Sequence, residues 1–256
     1  VANILIIGDS WGVIPYDDFG RLLAHFDLHP AVADKIKGSD INRTSVDWLP
    51  YQLMRRGHNV FNFSMGGQRN EYMLSQGAIF LEATKTSHKI DLVIWFHTEL
   101  CRGFEIRHMR RNAPDGKFDT WLDWLGDLIY GFATDIHNRH PGPKWAIIGG
   151  HAPLRGTKKY LLDWADYRID DWRSELLEQP MPECHTLSFL TGERSKDFYD
   201  TAVGMLGKDI LEREVSSAEL ISKLGDERRD LFYDGVHPSV QSNIKLAQRI
   251  IDHFNL

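Results

Sequence analysis

The stretch "ILIIGDSWG", Ile4 to Gly12, sets an apolar run directly against Gly-Asp-Ser-Trp. A short continuous apolar run bounded by turn residues reads as a strand buried on both faces, the kind found in parallel sheets. Gly, Asp and Ser are ordinary turn material. Taken alone, Ser10 therefore reads first as a polar turn residue, with a nucleophile at the end of a strand as the alternative.

Working outward, "NVFNF" (Asn59 to Phe63), "DLVIWF" (Asp91 to Phe96) and "KWAIIGG" (Lys144 to Gly150) read as further buried strands, with "CHTLSFL" (Cys184 to Leu190) a weaker fifth. Between them lie helical patterns over roughly Trp48 to Arg56, Asn70 to Thr86, Thr120 to Arg139 and Leu161 to Leu177. Strand and helix alternating in this way predict an α/β fold, a doubly wound three-layer α/β/α domain with a parallel sheet of about five strands. Arg55 and Arg56 before Gly57 form a helix stop. In the last segment, Val240, Ile244, Ala247, Ile251 and Phe254 recur at three- and four-residue steps, one face of a closing helix that Ser239 can cap. We expect a single domain over residues 1–256, with pocket-shaping insertions near 14–47 and 202–230.

Composition narrows the function classes. The chain has 256 residues, 26% charged and 42% hydrophobic, with a formal net charge of −6, which suits a globular protein and not a nucleic-acid surface. The basic cluster "RHMRR", Arg107 to Arg111, is too short to reverse that balance. Two cysteines, Cys101 and Cys184, exclude a disulfide scaffold, though one bridge is open to them. The opening apolar run of about five residues is too short for a signal peptide or membrane span, so the expectation is a cytoplasmic protein with no membrane partner.

In open parallel sheets the ligand crevice lies at the carboxyl ends of the strands. That rule gathers Asp9 and Ser10, Ser64 to Gln68, His97 to Glu99 and Gly150 to Pro153 on one rim. Near the other end of the chain, "YDGVHPS" carries Asp234 and His237 three residues apart before the closing helix. A serine hydroxyl attacks a carbonyl only when a neutral imidazole takes its proton, and that imidazole needs a carboxylate to fix its tautomer.

In these blocks the chain resembles the GDSL or SGNH hydrolases over nearly its whole length. "IIGDSWG" resembles the family's first block, with Trp11 where leucine is usual. "VFNFSMGGQ" resembles the second, with Asn62 followed five residues later by Gly67, and "YDGVHPS" is similar to the last. The stretch "DWLPYQLMRRG" resembles the helix before the second strand. The resemblance implies a flavodoxin-like sheet and ester hydrolysis through an acyl-enzyme, without cofactor or metal. Ser10 would attack, His237 would act as general base and then acid, and Asp234 would orient it. The backbone N–H groups of Ser10 and Gly67 would face the oxyanion, and a glycine allows that close approach.

The third block departs from the family. Where Gly-x-Asn-Asp is usual, this chain reads "FHTEL", with Thr98 at the position of the Asn that donates to the oxyanion. Losing one such donor costs about 2.7 to 4 kcal/mol of transition-state stabilisation. Three outcomes stand open: Thr98 substitutes, His97 or another side chain donates, or turnover is slow. Trp11, His97 and His151 are candidate substrate contacts, and Trp95 is a candidate pocket wall. The pair His137 and His140 at the end of a helix has metal-like spacing, but two histidines without a converging acidic or cysteine partner argue against a metal. Trp121, Trp124, Trp164 and Trp172 read as core.

The expected function is a serine esterase acting on small to medium acyl esters, an acetyl group on a carbohydrate included. Two alternatives use the same scaffold: a catalytically weakened carbohydrate-binding or structural module, and an acyltransferase. A dinucleotide or flavin protein lacks support because "GDSWG" is no G-x-G-x-x-G phosphate loop.

Overall fold

The computed structural model describes residues 1–9, 49–65, 68–100, 118–150, 154, 159–178 and 240–256. Its elements in chain order are β1 (Asn3–Gly8), α1 (Leu49–Arg55), β2 (Asn59–Asn62), α2 (Asn70–Thr84), β3 (Leu92–His97), α3 (Phe118–Arg139), β4 (Lys144–Gly149), β5 (Tyr167–Ile169), α4 (Trp172–Leu177) and α5 (Val240–Phe254). The five strands form one sheet in the order β2-β1-β3-β4-β5. Every pair is parallel, with Ile4 opposite both Val60 and Leu92, and Leu92 opposite Lys144.

The expected α/β class and five-stranded parallel sheet are therefore present, and the reason lies in alternate side chains. In β1, Leu5 and Ile7 join Val93, Trp95, Trp145 and Ile147 in a core closed by Leu74 and Leu81 of α2 and by Trp121, Leu125 and Ile129 of α3. Ile4 and Ile6 point the other way, joining Ile94, Phe96 and Ile148 under Leu53 of α1, Trp172 of α4 and Ile250 of α5. A strand with helices on both faces needs apolar residues at odd and even positions, hence the unbroken run "ILII". Each such side chain, fully withdrawn from water, contributes roughly 1.5–3 kcal/mol.

One segment corrects the sequence reading. Leu161 to Leu177 is not one helix; it holds β5 and the short α4. Leu162 takes a left-handed φ of 54°, which no helix accommodates. Asp171 then starts α4 afresh, its carboxylate accepting from the backbone N–H groups of Arg173 and Ser174. The predicted strand Cys184 to Leu190 and the insertions 14–47 and 202–230 lie outside the described residues.

The stop after α1 is as read. Gly57 has φ +88°, and the N–H groups of Gly57 and His58 return to the carbonyls of Met54 and Leu53. The face of α5 is wider than its sequence pattern suggested. Ala247, Ile251 and Phe254 are buried as expected, but so are Leu246, Ile250 and the polar Ser242 and Asn243, while Ile244 is only half-buried. Among the described residues, no helix is long and apolar enough to cross a membrane.

Candidate active site

The sheet order runs one way from β1 to β2 and the other way from β1 through β3 to β5, so chain direction switches between β1 and β3. A crevice forms at such a point beyond the carboxyl ends of the strands. Three of the chain's motif blocks leave the sheet here, after β1, β2 and β3.

Gly8 closes β1 against β3. A Cβ on it would lie 2.5 Å from Phe96 Cβ and 2.9 Å from the Phe96 carbonyl oxygen, so no larger residue fits. Asp9 follows, fully buried. From β2, the Asn62 side chain accepts from the Ser64 N–H at 3.0 Å and turns the chain. The Phe63 N–H donates to the Ile6 carbonyl and the Met65 N–H to that of Gly8. The second block is thereby tied to the end of the first.

The end of β3 is a buried polar cluster: His97, Thr98 and Glu99 are each no more than 1% exposed. His97 turns to the α3 side, its Nε2 3.3 Å from Tyr130 Oη and its ring 5.7 Å from that of Trp95. Thr98 Oγ1 donates to Glu99 Oε2 at 2.9 Å. A hydroxyl has one proton to give, and here it goes to the carboxylate. Asn70, the first residue of α2 and 1% exposed, grips the same loop from the other side. Its Nδ2 donates to the Thr98 carbonyl at 2.8 Å, and its Oδ1 accepts from the Thr98 N–H at 3.1 Å.

Sequence reasoning missed Asn70 in this role. An Asn at a helix start reads as a cap, yet α2 has no side-chain cap and the amide reaches across to β3. One residue on, Glu71 pairs with Arg69 at 3.1 Å; burial holds its carboxyl above the ordinary range despite a backbone hydrogen bond and that cation, which pull it down.

Of the sequence-derived site residues, the described structure brings His97 and Thr98 together at this rim. Ser10, Trp11, Gly67, His151, Asp234 and His237 lie outside the described residues. Trp95, expected near a pocket, is wholly buried in the core instead, because it shares the inward face of β3 with Val93. Trp121 and Trp172 are buried and Trp124 and Trp164 pack against the core, as read. His137 stacks on Trp164 with ring centroids 4.3 Å apart, and His140 Nε2 lies 3.8 Å from Glu82. Among the described residues no group of three or more His, Cys, Asp or Glu could hold a metal ion.

The far end of the chain returns to this rim by helix direction. His253, near the end of α5, bonds the Asp166 carbonyl ahead of β5, and Lys144 at the start of β4 sits over the Phe254 ring. The end of α5 thus lies at the amino ends of the strands. Fifteen residues of helix span about 22 Å, which carries its first residue, Val240, towards the carboxyl ends.

No family model matches the chain, and no curated protein matches it. Among solved structures it is similar to that of TesA, at 14% identity and a TM-score of 0.40, covering 98% of this chain and 97% of that one. It is also similar to a lipase/acylhydrolase from Enterococcus faecalis, at 13% identity and a TM-score of 0.38, covering 99% of this chain and 95% of that one. An acetyl xylan esterase, AlAXEase, matches at 14% identity and a TM-score of 0.35, with 98% of each chain covered. Likenesses this distant transfer no residue roles; what they add is that GDSL-like and SGNH-type lipases and esterases are among the structures this chain is similar to.

Proposed function

We propose that the protein is a serine ester hydrolase of the GDSL/SGNH type, acting on small to medium acyl esters. Ser10 attacks the ester carbonyl, His237 accepts its proton and returns it to the leaving alcohol, and Asp234 holds the imidazole in the tautomer that can accept. Water then hydrolyses the acyl-enzyme by the same route in reverse. The N–H groups of Ser10 and Gly67 serve the oxyanion.

What supports this reading is that the described residues flanking the motif blocks lie at, or lead towards, one rim of the sheet. Ser10 directly follows buried Asp9 at the end of β1. His237 stands three residues before Val240, and three residues of chain span at most about 10 Å. Gly67 falls between Met65, hydrogen-bonded to Gly8, and Asn70, hydrogen-bonded to Thr98. The order of the motifs and the switch point of the sheet support the same assignment.

Ser10→Ala is expected to abolish hydrolysis of p-nitrophenyl esters and labelling by a fluorophosphonate while the far-ultraviolet circular dichroism stays unchanged; undiminished turnover in this variant would sink the assignment. Since His237 must be neutral to accept the proton, kcat/KM should rise with pH through the histidine range. Running the assay over a series of acyl chain lengths beside acetylated sugars identifies the substrate class.

One observation favours a second reading, a catalytically weakened carbohydrate-binding module. The Thr98 hydroxyl donates to Glu99, which leaves the family's side-chain oxyanion donor unreplaced at that position. Glycan binding by a protein that fluorophosphonate does not label would select this reading over hydrolysis.

A further inference from the structure

We propose that the pocket between the ends of α2 and α3, beneath the amino ends of β3 and β4, binds a small carboxylate that carries a short hydrocarbon chain. The proposal goes beyond the hydrolase reading and stands without it.

The pocket holds about 210 Å³. That is below the roughly 300–1,000 Å³ of sites for drug-sized ligands, so its occupant is small. Three of the side chains around it are cations: Lys85, the C-cap of α2; Lys89, in the turn that leads to β3; and Arg139, the last residue of α3. Among the described residues that line it there is no Asp or Glu. Leu81 and Ile90, 5% and 4% exposed, and Pro143 give it an apolar side. A wall of one charge sign facing an apolar surface matches an anion with a hydrocarbon tail. Phosphate has nothing to offer the apolar side, and an alcohol has no charge to offer the cations.

Cations at the end of a helix ordinarily balance its dipole, and each of these also has an acidic neighbour. Lys85 lies 3.7 Å from Glu82, Lys89 3.6 Å from Asp91 and Arg139 2.8 Å from Asp135. Those roles do not use the cations up. The three carboxylates stand outside the pocket lining, and exposed pairs of this kind hold their partners weakly enough to re-form around a ligand. Lys89 lies beyond the last turn of α2, where the dipole no longer accounts for it. The positive field also reaches inward. His140, on the same wall with its side chain 9% exposed, is held below the ordinary histidine range first by burial and further by Arg139 and Lys85, against the upward pull of Glu82. An anion seated here meets that field. Strand β3, six residues long, spans about 20 Å, so the pocket lies at the opposite end of the sheet from the carboxyl rim.

The test is calorimetric titration of the full chain with sodium hexanoate at constant ionic strength. Hexanol and inorganic phosphate are the comparators, and a Lys85→Gln, Arg139→Gln double variant is the control, its fold checked by far-ultraviolet circular dichroism. The expected result is one saturable site for hexanoate, at least about tenfold weaker in the double variant. Hexanol and phosphate should each bind the wild-type protein more weakly than hexanoate by a similar factor. Both substituted side chains are more than half exposed, so the variant should fold; if it does not, the comparators on the wild-type protein decide the matter. Absence of saturable binding overturns the proposal. Hexanoate binding that the double variant leaves unchanged also overturns it, because the acid is then held elsewhere, the carboxyl rim included. Phosphate or hexanol binding as tightly as hexanoate overturns it as well, since the protein then reads only the charge or only the tail. None of these outcomes bears on the Ser10→Ala test, so the pocket and the hydrolase reading fail separately.

Discussion

The two ends of the sheet handle polar groups in opposite ways. At the amino ends, hydrogen bonds are made by exposed or half-exposed side chains: Asn3 Nδ2 donates to the Lys89 carbonyl, Asn59 Nδ2 to Asn3 Oδ1, and the Asp91 and Asp166 carboxylates accept from the N–H groups of Asn3 and Trp145. At the carboxyl ends, Asp9, Asn70, His97, Thr98 and Glu99 are all buried. The first arrangement ties strand ends together at little cost, since water stands ready for any group that loses its partner. The second withdraws five polar side chains from water, which a fold tolerates only when each is held by neighbours. Such a cluster beneath a topological switch point is where a sheet of this kind carries chemistry, and the contrast gives sharp experiments.

The largest effect is expected at Gly8. Gly8→Ala drives a Cβ to 2.5 Å from that of Phe96, and both atoms are fixed by backbone. Relief requires β1 and β3 to separate at the site, so we expect a loss of about 3 kcal/mol in urea unfolding together with loss of the proposed esterase activity. A loss below about 1 kcal/mol would show that the strand ends are not as tightly joined as their spacing implies. Next comes Thr98→Val, which keeps the shape but takes the hydroxyl donor from Glu99. A buried carboxylate short of one donor should cost about 1–3 kcal/mol. The amino-end counterpart, Asn3→Ala, breaks two exposed hydrogen bonds and should cost less than about 1 kcal/mol. Equal losses at Thr98 and Asn3 would erase the distinction between the two ends.

How much of this was legible in the sequence follows from the same physics. Strands β1, β3 and β4 announce themselves because burial on both faces demands apolar runs, β2 is a partly exposed edge strand with a weaker pattern, and the position of the blocks at the carboxyl ends follows from the parallel order. Strand β5 was hidden because it has three residues, with Arg168 exposed in the middle and aspartates on either side. Its neighbours Leu161, Trp164 and Trp172 mimic a helical stripe. Thr98 was recognised as a departure, but the partner that absorbs its proton is a side chain whose direction no spacing rule supplies. Asn70 was invisible for a different reason: its partner lies 28 positions away, and no local pattern at the start of a helix points to it.

The smallest effect contrasts one half-buried acid with one half-buried imidazole, which should respond to pH with opposite sign because burial disfavours the charged form of each. At the carboxyl end, burial raises the Glu71 carboxyl above its ordinary value of 4.5. Between 4.5 and the folded value the native state holds more protons than the unfolded one, so stability falls as pH rises through that window. At the amino end, burial and the nearby Arg56 lower His58 below its ordinary 6.5, and its Nδ1 accepts from the Ala2 N–H only while unprotonated. Between the folded value and 6.5 the unfolded state holds more protons, so here stability is lost as pH falls. Each group can be silenced with glutamine. The Tm of Glu71→Gln relative to wild type should therefore climb from pH 4 to pH 7, and that of His58→Gln should climb from pH 7 to pH 5. Differences that drift in the same direction for both variants would mean that burial does not set both shifts, and that neighbouring charges govern at least one of the two groups.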